Sequence, residues 1–320
     1  MGYLRNRIIT YAIIWFIALN FDFILPRIAP GNAAEILANG GRLPALQVQQ
    51  LEQRFGLLQP VTVQYLLFLK GVFLNFPPDF GFSYQYFPAS VSQLFFQRLP
   101  DTAFLIVIGL ALAMTLSYLA ASISSLRRGG KFEMGTLYTS VALQGTPVYW
   151  FSMVLLWIFA VSLKLLPISG QVDASLEGFN YMLSFLEHSI LPMSVMTIAT
   201  FGQWYLLLRG SSQQILQSDY ILAAKSRGLS EETIARRYVL RNSLLPVISL
   251  ASLFLGNMIS IAVLVETVFG YSGVGDLFVD GVINRDYPVL EGSFFYVTTI
   301  VIIGAVIGEI VLQRLDPRIK

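Results

Sequence analysis

The chain contains no cysteine and a single histidine, His188, in 320 residues. The first absence removes disulfides, thiolate metal sites and cysteine nucleophiles, and leaves nothing to say about redox compartment. Charge is scarce as well: 12% of residues are Asp, Glu, Lys or Arg, against about 25% in a water-soluble domain. No phosphate loop of the form GxxxxGK[ST] occurs, so the chain is not expected to bind and hydrolyse ATP by that route, and there is no HExxH. Ser152 and Ser194 have no base partner at a telling spacing, which argues against an intramembrane hydrolase. His188 stands beside Glu187 and reads as a solvated pair at the edge of an outer loop. No catalytic residue and no metal site are assigned.

What is present is apolar. Hydrophobic residues make up 55% of the chain and the mean hydropathy is +0.65, which points to an all-α polytopic membrane protein. A bilayer core of about 30 Å takes roughly 20 apolar residues per helix. Six runs of that order appear, approximately Ile8 to Leu25, Thr102 to Leu126, Met134 to Leu163, Ile190 to Leu208, Leu244 to Val268 and Gly292 to Leu312. The third is over-long, and Gly145-Thr146-Pro147 is expected to kink it or to divide a surface turn from the span. Small residues recur at helical spacing, with Gly109, Ala113, Ser117 and Ala121 in the second run and Gly304 and Gly308 in the sixth, forming ridges that let backbones approach. The first run follows Arg5 and Arg7 but exceeds a signal-peptide core, so it is taken as a retained helix.

Cytoplasmic loops are enriched in Lys and Arg. With the N-terminus inside, fourteen basic residues fall in inner segments and two, Lys164 and Arg285, in the short outer loops. Both termini are therefore expected in the cytoplasm. This distribution explains the pI of 8.7 better than nucleic-acid binding, which is not expected. The organisation anticipated is an N-terminal tail and first helix (1–25), an extracytoplasmic subdomain (26–101) and a five-helix core (102–320) with a cytoplasmic segment at 210–242. Within the outer subdomain, Leu46, Leu51, Phe55 and Leu58 point to a helical stretch. Phe73, Phe76, Phe80, Phe82, Tyr84, Tyr86 and Phe87 crowd another part, either as internal and interfacial packing or as rings for a ligand.

A charge inside a bilayer costs about 2.5 to 3.5 kcal/mol on insertion scales, so ionisable residues in spans are functional candidates. Asp22 and Glu266 lie near the outer ends of the first and fifth runs and are candidates for a translocation path, with snorkelling to the interface as the alternative. Glu291 completes the set, and Glu309, one turn from Arg314, reads as a surface pair. The absence of dense charge in the spans speaks against a proton- or sodium-driven carrier.

Between the fourth and fifth runs lies a charged, helix-forming island, Tyr220 to Pro246. Ser218 and Asp219 are suited to cap its first helix, Gly228 to end it in a left-handed turn, and Ser230 with Glu231 and Glu232 to start a second. Ala223 and Ala224 have almost no side chain, which suits insertion into a groove on another protein. An amphipathic helix on anionic lipid, with Arg236, Arg237 and Arg241 facing phosphates, is equally consistent.

The island resembles the EAA loop of ABC importer permeases, through Leu222-Ala223-Ala224, Gly228 and Leu245-Pro246. The chain as a whole is similar to the first of the two permeases of dipeptide and oligopeptide importers. That similarity is carried by Ala29-Pro30-Gly31, Phe55-Gly56-Leu57 with Gln59-Pro60 and Gln64-Tyr65, Arg98-Leu99-Pro100, Gly228-Leu229-Ser230, Arg241-Asn242, Val265-Glu266-Thr267-Val268-Phe269, Asn284-Arg285-Asp286-Tyr287-Pro288 and Leu315-Asp316-Pro317-Arg318. Leu222 stands where the general loop has glutamate, and Asn32 where aspartate is usual. The resemblance implies six transmembrane helices, with Ala223, Ala224, Lys225, Gly228, Leu229, Ser230, Glu231 and Glu232 forming the contact with an ATPase. It also implies a second permease subunit, two ATPase subunits that bind Mg-ATP, an extracytoplasmic solute-binding protein and surrounding lipid, with no cofactor on this chain. Peptides are the substrate class implied first and oligosaccharides second. A channel or scaffold is the reading from a different class.

Overall fold

The computed structural model describes residues 2–28, 49–50, 53, 56, 58–126, 129–173, 176–244, 247 and 254–315. Eleven helices account for most of them, and the one β contact among the described residues is an isolated bridge between Phe82 and Ser90. They are α1 (Gly2–Ile28), α2 (Val61–Leu74), α3 (Val91–Leu126), α4 (Lys131–Gly145), α5 (Val148–Leu155, continuing as a π-helical stretch Leu156–Ser162) and α6 (Gly178–Leu216). There follow α7 (Asp219–Ser226), α8 (Glu231–Thr233, continuing as a π-helical stretch Ile234–Leu240), α9 (Phe254–Phe269), α10 (Val274–Ile283) and α11 (Tyr287–Leu315). Four stretches are long and apolar enough to cross a bilayer unaided: Arg7–Ile28, Val91–Leu126, Gly178–Leu216 and Tyr287–Val311. Two bent pairs raise the number to six if each makes one span.

The first bend falls at the expected place. Lys131–Gly145 and Val148–Ser162 meet at 104°, across Thr146 and Pro147, where proline offers no N–H to the preceding turn. At the end of Gly256–Phe269, Gly270 has a φ of +56°, open to a residue without Cβ. Two of the helices run well past the limits drawn from hydropathy. α3 starts eleven residues before Thr102 and continues through Pro100, because Arg98 is neutralised by Asp276 at 3.0 Å. α6 is 39 residues long, about 58 Å at 1.5 Å per residue, and so exceeds the hydrocarbon thickness. The helix inferred from Leu46, Leu51 and Phe55 lies outside the described residues, as do Ala29-Pro30-Gly31, Asn32, Leu245-Pro246 and Asp316-Pro317-Arg318. Leu58 lies in a turn.

The chain divides into two compact units, residues 1–102 with 272–303 and residues 103–271 with 304–320. In the first, α1, α2, the start of α3, α10 and the start of α11 share a core of Leu19, Phe23, Phe68, Val72, Phe80, Val91, Phe95, Leu277, Phe295 and Tyr296. Part of the aromatic run is absorbed there: Phe80 packs on Phe68, Phe295 and Tyr296, and the Tyr86 hydroxyl donates to Asp280. Phe82 and Phe87 contact each other on the outside, and Phe76 is 99% exposed. Asp286 ties the 83–86 loop to the start of α11 by accepting from the Ser83 hydroxyl and the Gln85 amide. Burial pushes its carboxyl above the ordinary aspartate range, while those donors pull it back.

The second unit is built on α6. Its contact with α3 uses the ridge of small residues: Ala113, Ser117 and Ala121 are buried, and a Cβ on Gly109 would sit 2.9 Å from that of Met196. Gly304 and Gly308 of the sixth run are only half-buried. Against α4 the approach is closer still, since a Cβ on Gly202 would fall 2.6 Å from the Ser140 carbonyl oxygen. The outward faces are apolar in their turn, with Leu112, Leu116, Leu119, Met182, Leu183 and Ile190 all at least 43% exposed, as a lipid-facing surface requires.

Gly202→Val should destabilise the protein by about 1–3 kcal/mol, because backbone rather than a flexible side chain blocks the added carbon. Gly210→Ala, on the same helix with nothing within 4 Å, should be neutral or stabilising by about 0.5–1 kcal/mol. Thermal unfolding in detergent measures both.

Candidate functional site

The island between α6 and α9 forms an elbow with a core of its own. α6 closes in a turn in which the Gln217 and Ser218 amides donate to Gln214 and Ile215. Ser218 occupies the capping position of α7, yet its hydroxyl donates backward to the Ile215 carbonyl. The expected side-chain cap is therefore absent; Asp219 still places a negative charge in the first turn. At the other end Gly228 has a φ of +74°. Its amide donates to Lys225 at 2.9 Å and the Leu229 amide reaches back to Ala224 at 3.3 Å, the paired bonds of a Schellman ending. The apolar contact that accompanies this motif is also present, between Leu229 and the cluster containing Ala224. Ser230 then caps α8, accepting from the Thr233 amide at 3.3 Å. Glu231 and Glu232 follow in the first turn, and Glu232 pairs with Arg236 at 3.0 Å.

This local chemistry fixes which side chains face inward. Ile221, Ala224, Ile234 and Val239 form the elbow core, with Ile215, Leu216, Leu229 and Tyr238 packed against it. The two alanines thus have different surroundings: Ala224 is 4% exposed inside the elbow, whereas Ala223 faces outward with Leu222 and Tyr220. Lys225, Gly228, Ser230, Glu231 and Glu232 are exposed and Leu229 is half-buried. A cavity of about 350 Å³ opens beside them, lined by Ser125, Leu126, Leu216, Lys225, Glu231, Ile234 and Ala235.

Neither candidate carboxylate of the translocation path reaches the surface. Asp22 is 4% exposed in the first unit, and its Oδ2 has no hydrogen-bond partner among the described residues. Glu266 is fully buried in the second unit. Both are held inside protein rather than snorkelled to the interface. Near Asp22, Arg27 pairs with Glu291, donates through Nε to the Gln64 side-chain oxygen at 3.2 Å and lies 3.5 Å above the Phe23 ring. Arg27, Glu291, Lys70, Asp79, Tyr84 and Tyr287 line a cavity of about 300 Å³ in the first unit. Burial and the Glu291 and Asp286 carboxylates raise the Tyr84 phenol above its usual range.

His188 departs from its expected role. It is 7% exposed on α6, its Nδ1 donates to the Ser184 carbonyl at 2.9 Å, and its Nε2 lies 3.8 Å from Asp173. The neighbour in sequence, Glu187, points away into an exposed position. The reason is that α6 begins ten residues earlier than a loop edge would place it. No three His, Cys, Asp or Glu side chains gather as a metal would need among the described residues. A further ion pair, Glu133 with Arg209 at 2.8 Å, joins α4 to α6. Sequence spacing gave no sign of it, although an acidic residue opening one span and a cation closing another are the types that meet at one membrane face. Glu309 is half-buried, and the side chain of Arg314 lies outside the described residues.

Comparison with known proteins agrees along the chain. Residues 113–320 match the model of the binding-protein-dependent transport system inner membrane component, and residues 1–106 match the N-terminal model of such membrane components. The oligopeptide transport system permease protein OppB of Haemophilus influenzae is 32% identical over 306 residues, 95% of this chain and 94% of that protein. The oligopeptide permease protein AppB of Bacillus subtilis is 31% identical over 299 residues, 93% of each. The di/tripeptide permease protein DppB of Pseudomonas aeruginosa is 29% identical over 314 residues, 93% of this chain and 92% of that protein.

Ala224→Leu should overfill the elbow core and cost about 1–3 kcal/mol locally, while Ala223→Leu, on the outer face, should stay within about 0.5 kcal/mol. Hydrogen exchange of the amides between 219 and 240 distinguishes the two: faster exchange is expected for the first variant and an unchanged pattern for the second.

Proposed function

We propose that this chain, which belongs to the family of binding-protein-dependent transport system inner membrane components, is a permease subunit of an ATP-driven importer that passes oligopeptides. The observation that carries the reading is the near end-to-end similarity to permeases named for oligopeptide and di/tripeptide transport. Peptides arrive on an extracytoplasmic solute-binding protein. This chain pairs with a second permease in the inner membrane, both termini in the cytoplasm, and two ATPase subunits bind Mg-ATP beneath them. No ATP chemistry is carried by this subunit.

The elbow is the coupling segment in this reading. Its exposed face, with Ala223, Lys225, Gly228, Ser230, Glu231 and Glu232, enters a cleft on one ATPase subunit. A preformed elbow with its own core presents that face with little ordering cost, which favours a contact that must hold under load. Closure of the ATPases on nucleotide moves the elbow, and the elbow moves the ends of α6 and α9. Each ligand then shifts the balance of inward- and outward-open bundles only by its differential affinity for the two. Asp22 and Glu266, buried carboxylates in two different spans, remain the candidates for the translocation path, to be uncovered only in another arrangement of the helices. An oligosaccharide substrate drew its support from the crowded aromatics, and Phe80 and Tyr86 are now engaged in packing and in an Asp280 bond.

Gly228→Pro should abolish transport and substrate-stimulated ATP hydrolysis in reconstituted vesicles while leaving the subunit inserted, because proline cannot take a positive φ. Wild-type transport by this variant overturns the coupling role. Copurification tests the assembly: ATPase subunits recovered in equal number with the permeases are expected, and a homo-oligomer without ATPase favours a channel instead.

A further inference from the structure

In the second unit, Glu133 is 4% exposed in the first turn of α4, a costly place for a carboxylate without close partners. One oxygen accepts from the Gly129 amide at 2.7 Å. The other is held by Nε and a terminal nitrogen of Arg209, each at 2.8 Å. Arg209 lies on α6, two turns before that helix ends at the elbow. Gln213, with its carboxamide oxygen turned toward the guanidinium, accepts from both terminal nitrogens at 3.2 and 3.0 Å. The network therefore reaches from α4 along the last turns of α6 to Leu216, which packs on the elbow core.

The ion pair is one of two pins between these helices. The other is the close approach of Gly202 to the Ser140 backbone. Both pins are separated by seven residues on α4 and by seven on α6, in opposite chain directions, as an antiparallel pair demands. One pin is steric and the other is charged and directional. Together they prevent α6 from sliding or turning against α4 unless one is broken. Beyond Ser140, α4 leads to the 104° bend into α5. Beside the charged pin lies a small void of about 20 Å³, lined in part by Ala121, Ser124 and Ser212. The Ser212 hydroxyl has no hydrogen-bond partner among the described residues. An open space and an unsatisfied donor next to a charged network are what a second arrangement of that network would use.

We propose that Glu133 and Arg209 are a positioning pair for transport: they bind α4 and α6 into one lever, so that displacement of the elbow is delivered to the bend at Thr146 and Pro147. This rests on the reading of the elbow as the coupling segment. Neither residue touches peptide or nucleotide; both act through the helices they join.

The test uses the complete importer in vesicles, with E133Q, R209Q and E133Q/R209Q. Assembled complex, basal ATP hydrolysis, stimulation by peptide-loaded binding protein and peptide uptake are all measured. Assembly and basal hydrolysis should be unchanged, while stimulation and uptake fall about tenfold in each single variant, within the span typical of coupling between sites. The double variant should be no worse than either single, since each alone already breaks the pin. R209K, which keeps the cation without the forked contact, serves if R209Q fails to assemble and should show the same selective loss. Wild-type stimulation in the variants overturns the proposal, and so does a loss of stimulation that merely tracks the amount of assembled complex. A cross-link from Ala223→Cys to an ATPase subunit, read in the same vesicles, separates the two ideas. Without the cross-link the elbow reading fails and this proposal with it; with the cross-link and unchanged stimulation, only the role of the pair is lost.

Discussion

A peptide group in hydrocarbon has no water to bond to, and the rest of this structure follows from that constraint. The chain answers it with helices that run until something else satisfies their ends. Because lipid is as apolar as leucine, burying leucine between two helices gains little, and contact has to come from close backbone approach and from polar links. The faces of α6 show both. Gly109 and Gly202 bring α3 and α4 to within backbone distance. Hydroxyls do the rest: Ser117 donates to the Phe201 carbonyl, Thr197 to Gly109, and Ser124 meets the Tyr205 hydroxyl.

The elbow obeys different rules because it is built as a soluble protein would be. It has an apolar inner face, a Schellman ending, a serine cap and acidic residues at a helix start. Such chemistry gives a piece of structure that keeps its shape where no bilayer supports it. The same segment is joined to α6 without a flexible linker, only the turn at Gln217 and Ser218 intervening. Helix thus runs on both sides of that turn with two residues between.

Much of this was legible from residue order, and the failures have a common cause. Run length pointed to apolar helices, four of which are long enough to cross a bilayer unaided; Gly145-Thr146-Pro147 located the 104° bend, the ridge from Gly109 to Ala121 predicted a buried face, and Gly228 and Ser230 marked the turn and the cap. What composition could not reveal was neutralisation by distant residues. The second run was drawn from Thr102, whereas α3 starts at Val91 and carries Arg98 paired with Asp276, 178 positions away. His188 looked solvated beside Glu187, but its partners are Ser184 and Asp173. The two alanines looked equivalent, and helix phase put one inside and one outside. Hydropathy prices each side chain alone, whereas a fold prices it with its partners.

Because the elbow draws its stability from inward-facing Ile221, Ala224, Ile234 and Val239, its outward positions Tyr220, Leu222, Ala223 and Arg227 are free of structural duty. Side chains can therefore be exchanged at those positions while the inward-facing scaffold keeps its shape.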